Sequence, residues 1–334
     1  MAQKTKVLKE KDLATAVRLL KAGQVVAFPT ETVYGLGANA FDSAAVEKIF
    51  RAKGRPADNP LIVHIHSQEQ LRDLVTAVPK KARALMDRFW PGPLTLVLPK
   101  QEAVPSIVTA GLATVGIRIP NHPLALRLLQ KTGFPLAAPS ANISGRPSPT
   151  HLEHVLTDLG GRIPAVLDGG EAVYGLESTV LDCTAEPFRL LRPGSALLED
   201  LRQITPVEAG EGHAPPGPGL KYEHYTPNAD VYLILGVGTP AKIEELSEHY
   251  RREGKKTAVM TWDERARLYP GQNIFPMGPK GNLQAVAANL YHLLRRADKQ
   301  GIDVLFVEGI EEEQMGLTIM NRLRQAARGR VIQT

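Results

Sequence analysis

Cysteine is almost missing from this chain of 334 residues: Cys183 stands alone, so no intrachain disulfide can form. Such usage suits a reducing compartment. Long apolar runs are missing as well, and nothing approaches the roughly 18 residues of a membrane span. The opening stretch, MAQKTKVLKEKDLATAV, is charged and lacks the apolar core of a signal peptide. These absences predict a cytoplasmic protein with no membrane partner. No G-x-x-x-x-G-K-S/T phosphate loop occurs. His64 and His66 form an H-x-H pair without a third ligand at a recognisable spacing, so no metal site is expected. Ser178 lacks an elbow motif and an acid–base partner, which argues against a serine-hydrolase triad. Repeats and low-complexity tracts are absent too.

What is present is an ordinary globular composition, 43% hydrophobic and 22% charged, in a chain too long for one typical core. The net charge of +5, from 40 basic and 35 acidic residues, suits an anionic ligand without pointing to nucleic acid. Helical spacing marks Leu13, Val17 and Leu20, with Gly23 as a stop, and then Ala82, Leu85, Met86 and Phe89. Strand-like runs appear at 24–28, 61–65, 94–98, 114–119, 165–167, 178–182 and 189–192. A further helix begins near Pro123, with Asn121 near its cap. Strands and helices mix without strict alternation, so an α+β sheet domain is expected over residues 1–205. Residues 206–228 include the Pro/Gly segment Ala214–Gly219 and read as a linker. From 229 to 334 the pattern becomes strand, helix, strand, as in a small parallel α/β unit.

Chemistry concentrates in FPTETVYGLGANAFDSAAVEKIFRAKGRPADNPLIVHIH, residues 28–66. An apolar strand ends at Pro29, and hydroxyls and glycines follow to Gly37. A helix then carries Val46, Ile49 and Phe50 on one face, with Asp42 or Ser43 as N-cap and Gly54 as stop. Thr32, Lys53, Arg55, Asn59 and His64 fall in one neighbourhood suited to a small anionic ligand. Lys53 and Arg55 are equally explained as solvated cations that complement the helix dipole. Arg118 shares a strand face with Thr114 and Gly116, between apolar residues of the other face. A mid-strand arginine needs an anion, either a ligand or a structural carboxylate. Arg192 repeats that argument more weakly. His64 fits a hydrogen-bonded structural residue as well as a ligand contact. Ser140, Asn142, Ser144 and Ser148 form turns or bind phosphate and sugar oxygens. Gly236 and Gly238 fit a G-x-G-x-x-A dinucleotide fingerprint, with Asp263 downstream, or simply a tight strand-to-helix turn.

Several motifs in order resemble one family. PTETVYGLG at 29–37, KxR at 53–55, NPL at 59–61, PGPLTLVL at 91–98 and VGIRIP at 115–120 are similar to the YrdC-type domain. So are PSANISG at 139–145 and STV at 178–180. GLKYEHYTP at 219–227, followed by an α/β tail, resembles the long two-domain form of the threonylcarbamoyl-AMP synthases. The likeness covers essentially the whole chain. It implies an α+β, twisted-sheet YrdC-like domain, a linker reaching over the active site, and a Rossmann-like C-terminal α/β domain with a parallel sheet. It implies a nucleotidyltransferase that converts L-threonine, bicarbonate or CO2 and ATP into threonylcarbamoyl-AMP and pyrophosphate, the first step of tRNA t6A37 modification. Carried over residue by residue, Thr32, His64, Arg118, Ala138 and Ser178 would hold threonine. Arg55, Asn59, Thr114, Ser140, Ser148, Arg192 and Tyr225 would hold ATP, with Lys53, Arg55 and Arg118 supplying the charge that the reaction needs. Mg²⁺ would arrive with the nucleotide. The implied partners are a downstream t6A transferase machinery and a weak tRNA contact. An RNA-binding module of the same type without turnover is the competing expectation.

Overall fold

Apolar residues at helical spacing produce the first helix where they predict it. A short strand, β1 (Lys6–Leu8), leads into α1 (Leu13–Lys21), whose Leu13, Ala16, Val17 and Leu20 are buried. This computed structural model describes residues 4–209 and 225–334. The chain divides into two units, one of Met1–Ser144 with Ser148–Tyr222, the other of Gly145–Pro147 with Glu223–Thr334.

In the first unit the chain continues through β2 (Val26–Phe28), β3 (Gly35–Asn39), α2 (Ser43–Lys53) and β4 (Ile62–His64). Next come α3 (Lys80–Phe89), β5 (Leu94–Pro99), α4 (Ser106–Thr109) and β6 (Thr114–Arg118). They are followed by α5 (Pro123–Thr132), β7 (Leu136–Ala137), α6 (Leu152–Leu159), β8 (Ala165–Leu167) and β9 (Thr179–Asp182). The unit's remaining described elements are β10 (Phe188–Arg192), α7 (Leu198–Arg202) and β11 (Val207–Ala209). Among the described residues these strands form one mixed sheet in the order β1-β8-β2-β3-β7-β4-β6-β5-β9-β10-β11. The α+β expectation therefore holds. Val207–Ala209, expected in the linker, pairs with β10 as a strand, and residues 210–224 of that linker lie outside the described residues.

Each end of α2 is set by local chemistry. Asp42 is the N-cap, its carboxylate accepting from Ala45 N at 3.1 Å, and Gly54 closes the helix in the left-handed region at φ +61°. Helix α5 is capped by His122, whose ring accepts from Ala125 N, and not by Asn121. An imidazole nitrogen can fill the same backbone orphan as a carboxamide, which the sequence pattern did not reveal.

Alternation divides the sheet into two faces. Val63, Val115, Ile117, Leu94, Leu96, Leu98 and Leu181 join the large core with α2 and α3. Their neighbours Ile62, His64, Thr114, Gly116, Arg118, Thr95 and Val180 therefore point to the other face. At the β1–β8–β2 end that second face is covered by α1 and α5 through Leu20, Phe28, Leu128 and Leu167. Beyond this cover it carries a small apolar cluster, Val97, Val180 and Leu191 with Ile62, and a group of polar side chains. Phe28 bridges the two regions: its ring lies across β3 and meets the His64 ring edge-on at 5.9 Å. Gly37 allows this, because a Cβ there would lie 2.8 Å from Phe28 Cε1.

The second unit matches its expected parallel α/β form. Its elements are β12 (Asp230–Leu235), α8 (Thr239–Arg252), β13 (Thr257–Thr261), β14 (Ile274–Pro276), α9 (Leu283–Lys299), β15 (Val304–Glu308), α10 (Met315–Ala327) and β16 (Val331–Gln333). The strands pair in parallel in the order β14-β13-β15-β12-β16. The tight-turn account of Gly236 prevails over the dinucleotide fingerprint. A Cβ on Gly236 would meet Thr334 O at 2.2 Å, and Thr334 N donates to Leu235 O at 2.8 Å. Asp263 is also engaged locally, accepting from Gly278 N at 3.0 Å. No helix among the described residues is long and apolar enough to cross a membrane.

The close approach of Phe28 is testable. Gly37→Ala should destabilise the chain by about 1–3 kcal/mol in urea unfolding, since a buried ring must shift. Gly35→Ala, whose Cβ would stand 3.3 Å from the same ring, should cost less.

Candidate active site

The polar half of the second face is built around a guanidinium held away from water. Arg118 ends β6 and is 2% exposed, and its Nη2 lies 3.2 Å from Glu31 Oε2, itself 3% exposed. Burial pulls the Arg118 pKa down, Glu31 opposes that, and the charge of Arg192 adds to the lowering. Guanidinium starts so high that it stays protonated. Of the two anions considered for Arg118, the structure therefore supplies a carboxylate of its own. Glu31 was missed as a site residue. Its only signal was its place between two threonines, 87 residues from its partner.

The loop bearing Glu31 is fixed by its own hydroxyls and backbone. Thr30 Oγ1 donates to Val33 O at 2.6 Å and lies 2.8 Å from Thr32 Oγ1. Glu31 O accepts from Tyr174 N at 2.8 Å, and the Tyr34 hydroxyl donates to Gly170 O at 2.7 Å. Burial raises the Tyr34 pKa to about 12, so it remains a donor.

His64 is the register partner of Arg118 across β4 and β6. It is 5% exposed. Burial first, then the charge of Arg118, hold its pKa well below the ordinary histidine value. A neutral imidazole results. Ala138 follows β7 one strand away, with its N–H donating to Ile62 O at 2.9 Å. Ser178 precedes β9; its Oγ is 2.8 Å from Thr95 Oγ1. Arg192 reaches the same place, donating from Nη2 to Ser178 O at 2.9 Å and to Ser178 Oγ at 3.4 Å. Thr95 was also missed, although the alternation of LTLVL places it on the Arg118 face.

The residues expected at the nucleotide follow the loops beside this face. Arg55 Nη2 donates to Asn59 O at 3.2 Å and Pro60 O at 3.3 Å, and Asn59 is fully buried. Thr114 is half-buried at the start of β6. Ser140 forms an isolated bridge with Gly35. Ser148 Oγ donates to Glu177 Oε1 at 2.5 Å, with both residues buried. Lys53 corrects the solvated-cation account. It is 1% exposed, and its Nζ donates to Ser140 O and Asn142 O, each at 2.6 Å. Its ammonium draws the serine-rich loop onto the end of α2, because a buried cation must find such acceptors. Tyr225 belongs to the second unit, where its ring stacks on Tyr291 at 5.2 Å and lies under the Arg322 guanidinium.

The neutral state of His64 has a consequence for stability. The unfolded chain takes up a proton near pH 6.5 that the folded histidine resists, so stability falls as pH drops below that value. Below pH 6.5 the wild-type chain should lose up to about 1.4 kcal/mol more per pH unit than His64→Gln. Urea unfolding between pH 7.5 and 5 measures the difference; identical slopes would exclude a buried neutral histidine.

Comparison with known proteins identifies the family and the fold. A family model described as "Telomere recombination" matches residues 18–194, and one described as "Threonylcarbamoyl-AMP synthase, C-terminal domain" matches 196–328. The threonylcarbamoyl-AMP synthase of Bacillus subtilis is 49% identical over 327 residues, 96% of this chain and 94% of its own length. That of Pyrococcus abyssi is 47% identical over 334 residues, covering 97% of this chain and 96% of its own. The structure of P. abyssi Sua5 complexed with L-threonine superposes with a TM-score of 0.91 at 45% identity, over 99% of each chain. The buried Arg118 face, the mixed sheet and the parallel second unit thus occur in a chain that belongs to the threonylcarbamoyl-AMP synthase family, in its long two-domain form.

Proposed function

We propose that this chain is an L-threonylcarbamoyladenylate synthase, converting L-threonine, bicarbonate or CO2 and ATP into threonylcarbamoyl-AMP and pyrophosphate. The observation that carries the reading is the buried, polar sheet face on which Arg118 and His64 are register partners and Ser178 is held by Arg192. The threonine ammonium loses a proton to solvent, and the neutral amine adds to CO2 and releases a second proton to give a carbamate. A carbamate oxygen then attacks the α-phosphorus and displaces pyrophosphate. No covalent enzyme intermediate is needed, so positioning and charge neutralisation carry the rate. Thr32, His64, Arg118, Ala138 and Ser178 take the amino acid. Arg55, Asn59, Thr114, Ser140, Ser148 and Arg192 take the nucleotide. Lys53 supports the Ser140 loop instead of meeting solvent. This reading assigns catalysis to the first unit, including β11, with 229–334 as an accessory domain.

Mg²⁺ fits as a companion of the nucleotide. The buried carboxylates Glu31 and Glu177 accept from Arg118 and Ser148, so phosphate oxygens would supply most of its ligands. When bound it neutralises phosphate charge. The product passes to a t6A transferase machinery acting on adenosine 37 of tRNA, with weak RNA contact at most. An RNA-binding role without turnover accounts poorly for the site, because RNA is engaged by displayed cations. Lys53, Arg118 and Arg192 are 1%, 2% and 6% exposed.

Pyrophosphate release from ATP and Mg²⁺ should require both bicarbonate and L-threonine, with serine a weaker substitute. Release that ignores threonine would defeat the proposal. Arg118→Lys keeps a charge but loses the planar fork, so the threonine KM should rise at least about tenfold while the ATP KM stays within a few-fold. An unchanged threonine KM would remove Arg118 from the amino-acid site.

A further inference from the structure

The Glu31–Arg118 contact is incomplete in a way that a purely structural ion pair need not be. Buried arginine–carboxylate pairs gain most from the two-toothed fork, which satisfies both oxygens and two N–H groups. Here one contact, Nη2 to Oε2 at 3.2 Å, joins the side chains. Glu31 Oε1 and Arg118 Nε are both buried, and neither has a hydrogen-bond partner among the described residues. Leaving a charged acceptor and a charged donor of one buried ion pair unsatisfied costs free energy. The two atoms form an unfilled pair of opposite sign.

An α-amino acid carries the complementary pair, an ammonium and a carboxylate on one carbon. The groups around the pair favour that polarity. Arg192 adds positive charge on the Arg118 side. His64 is held neutral and competes for neither group. His122, whose pKa burial lowers while the Gly169 backbone and then the Glu31 charge raise it, stands on the Glu31 side. Thr32 follows Glu31 in the tied loop, and Ser178 is held by Arg192, whose charge acts on Arg118.

We propose that Glu31 accepts the α-ammonium group of the amino-acid substrate, so that the Glu31–Arg118 pair is a receptor for a zwitterion and not only a structural ion pair. The assignment rests on the threonine-dependent function proposed above. It makes Glu31 a substrate-binding residue and explains why a carboxylate is buried in a site that also takes a polyanion. The ammonium supplies the positive partner that Oε1 lacks, while the substrate carboxylate is drawn to the Arg118 edge.

Calorimetric titration separates this role from a structural one. The ligands are L-threonine and 3-hydroxybutanoate, the same molecule without its amine, tested on the full chain, Glu31→Gln and Glu31→Asp. The wild-type chain should bind threonine at least about tenfold more tightly than 3-hydroxybutanoate, the worth of a charged hydrogen bond. In Glu31→Gln that ratio should fall towards one, with 3-hydroxybutanoate binding no weaker than before; Glu31→Asp should restore part of it. ATP binding within a few-fold of wild type certifies the fold, and if Glu31→Gln fails to fold, the Glu31→Asp ratio decides. A wild-type ratio retained in the variants, or equal weakening of both ligands, overturns the assignment while leaving the function intact. Failure of the wild-type chain to bind threonine overturns the function and this assignment together.

Discussion

A guanidinium without access to water is the constraint from which the rest of the first unit follows. Arg118 stands inside a sheet, and desolvation of its charge is tolerable only beside an anion with well-placed acceptors. Glu31 is that anion. A glutamate on a free loop could not hold the position, so the loop from Thr30 to Tyr34 is tied by its own hydroxyls, by Tyr174 N and by the Tyr34 hydroxyl. The same burial keeps His64 neutral beside Arg118. One electrostatic demand thus organises a loop, two strands and the protonation state of a histidine.

Sheet alternation then separates stability from chemistry. One face of strands β4 to β9 is given to the large apolar core, whose burial supplies the main favourable free energy. The other face carries Arg118, His64, Thr95 and Thr114 between two smaller apolar clusters, one around Phe28 and one around Val180. Phe28, passing over Gly37, marks the border between the covered and the polar half. A rigid sheet floor suits a reaction whose proposed catalysis lies in the placement of three substrates and not in a covalent step.

Lys53 shows how a cation serves a site without facing solvent. Its ammonium is consumed by two backbone carbonyls of the segment Ser140–Asn142. Turn-forming residues alone leave a loop many conformations; a buried charge bound to its carbonyls selects one. Ser148 and Glu177 make a comparable tie beyond it.

The sequence by itself determined the local and periodic features: the helix faces of α1 and α2, the Gly54 stop, the Thr114–Gly116–Arg118 strand face and the two kinds of domain. These depend on neighbours within a few residues, where spacing and capping chemistry are direct physical signals. Motif order also carried the family likeness. The short strands β1, β7, β11 and β14 were not legible, since two or three residues hold too little pattern and exist only through pairing. The burial of Lys53, the carboxylate opposite Arg118 and the partners of Ser178 and Ser148 were decided by tertiary structure alone. Each joins residues tens of positions apart, and no periodicity records which distant loop supplies an anion or a carbonyl.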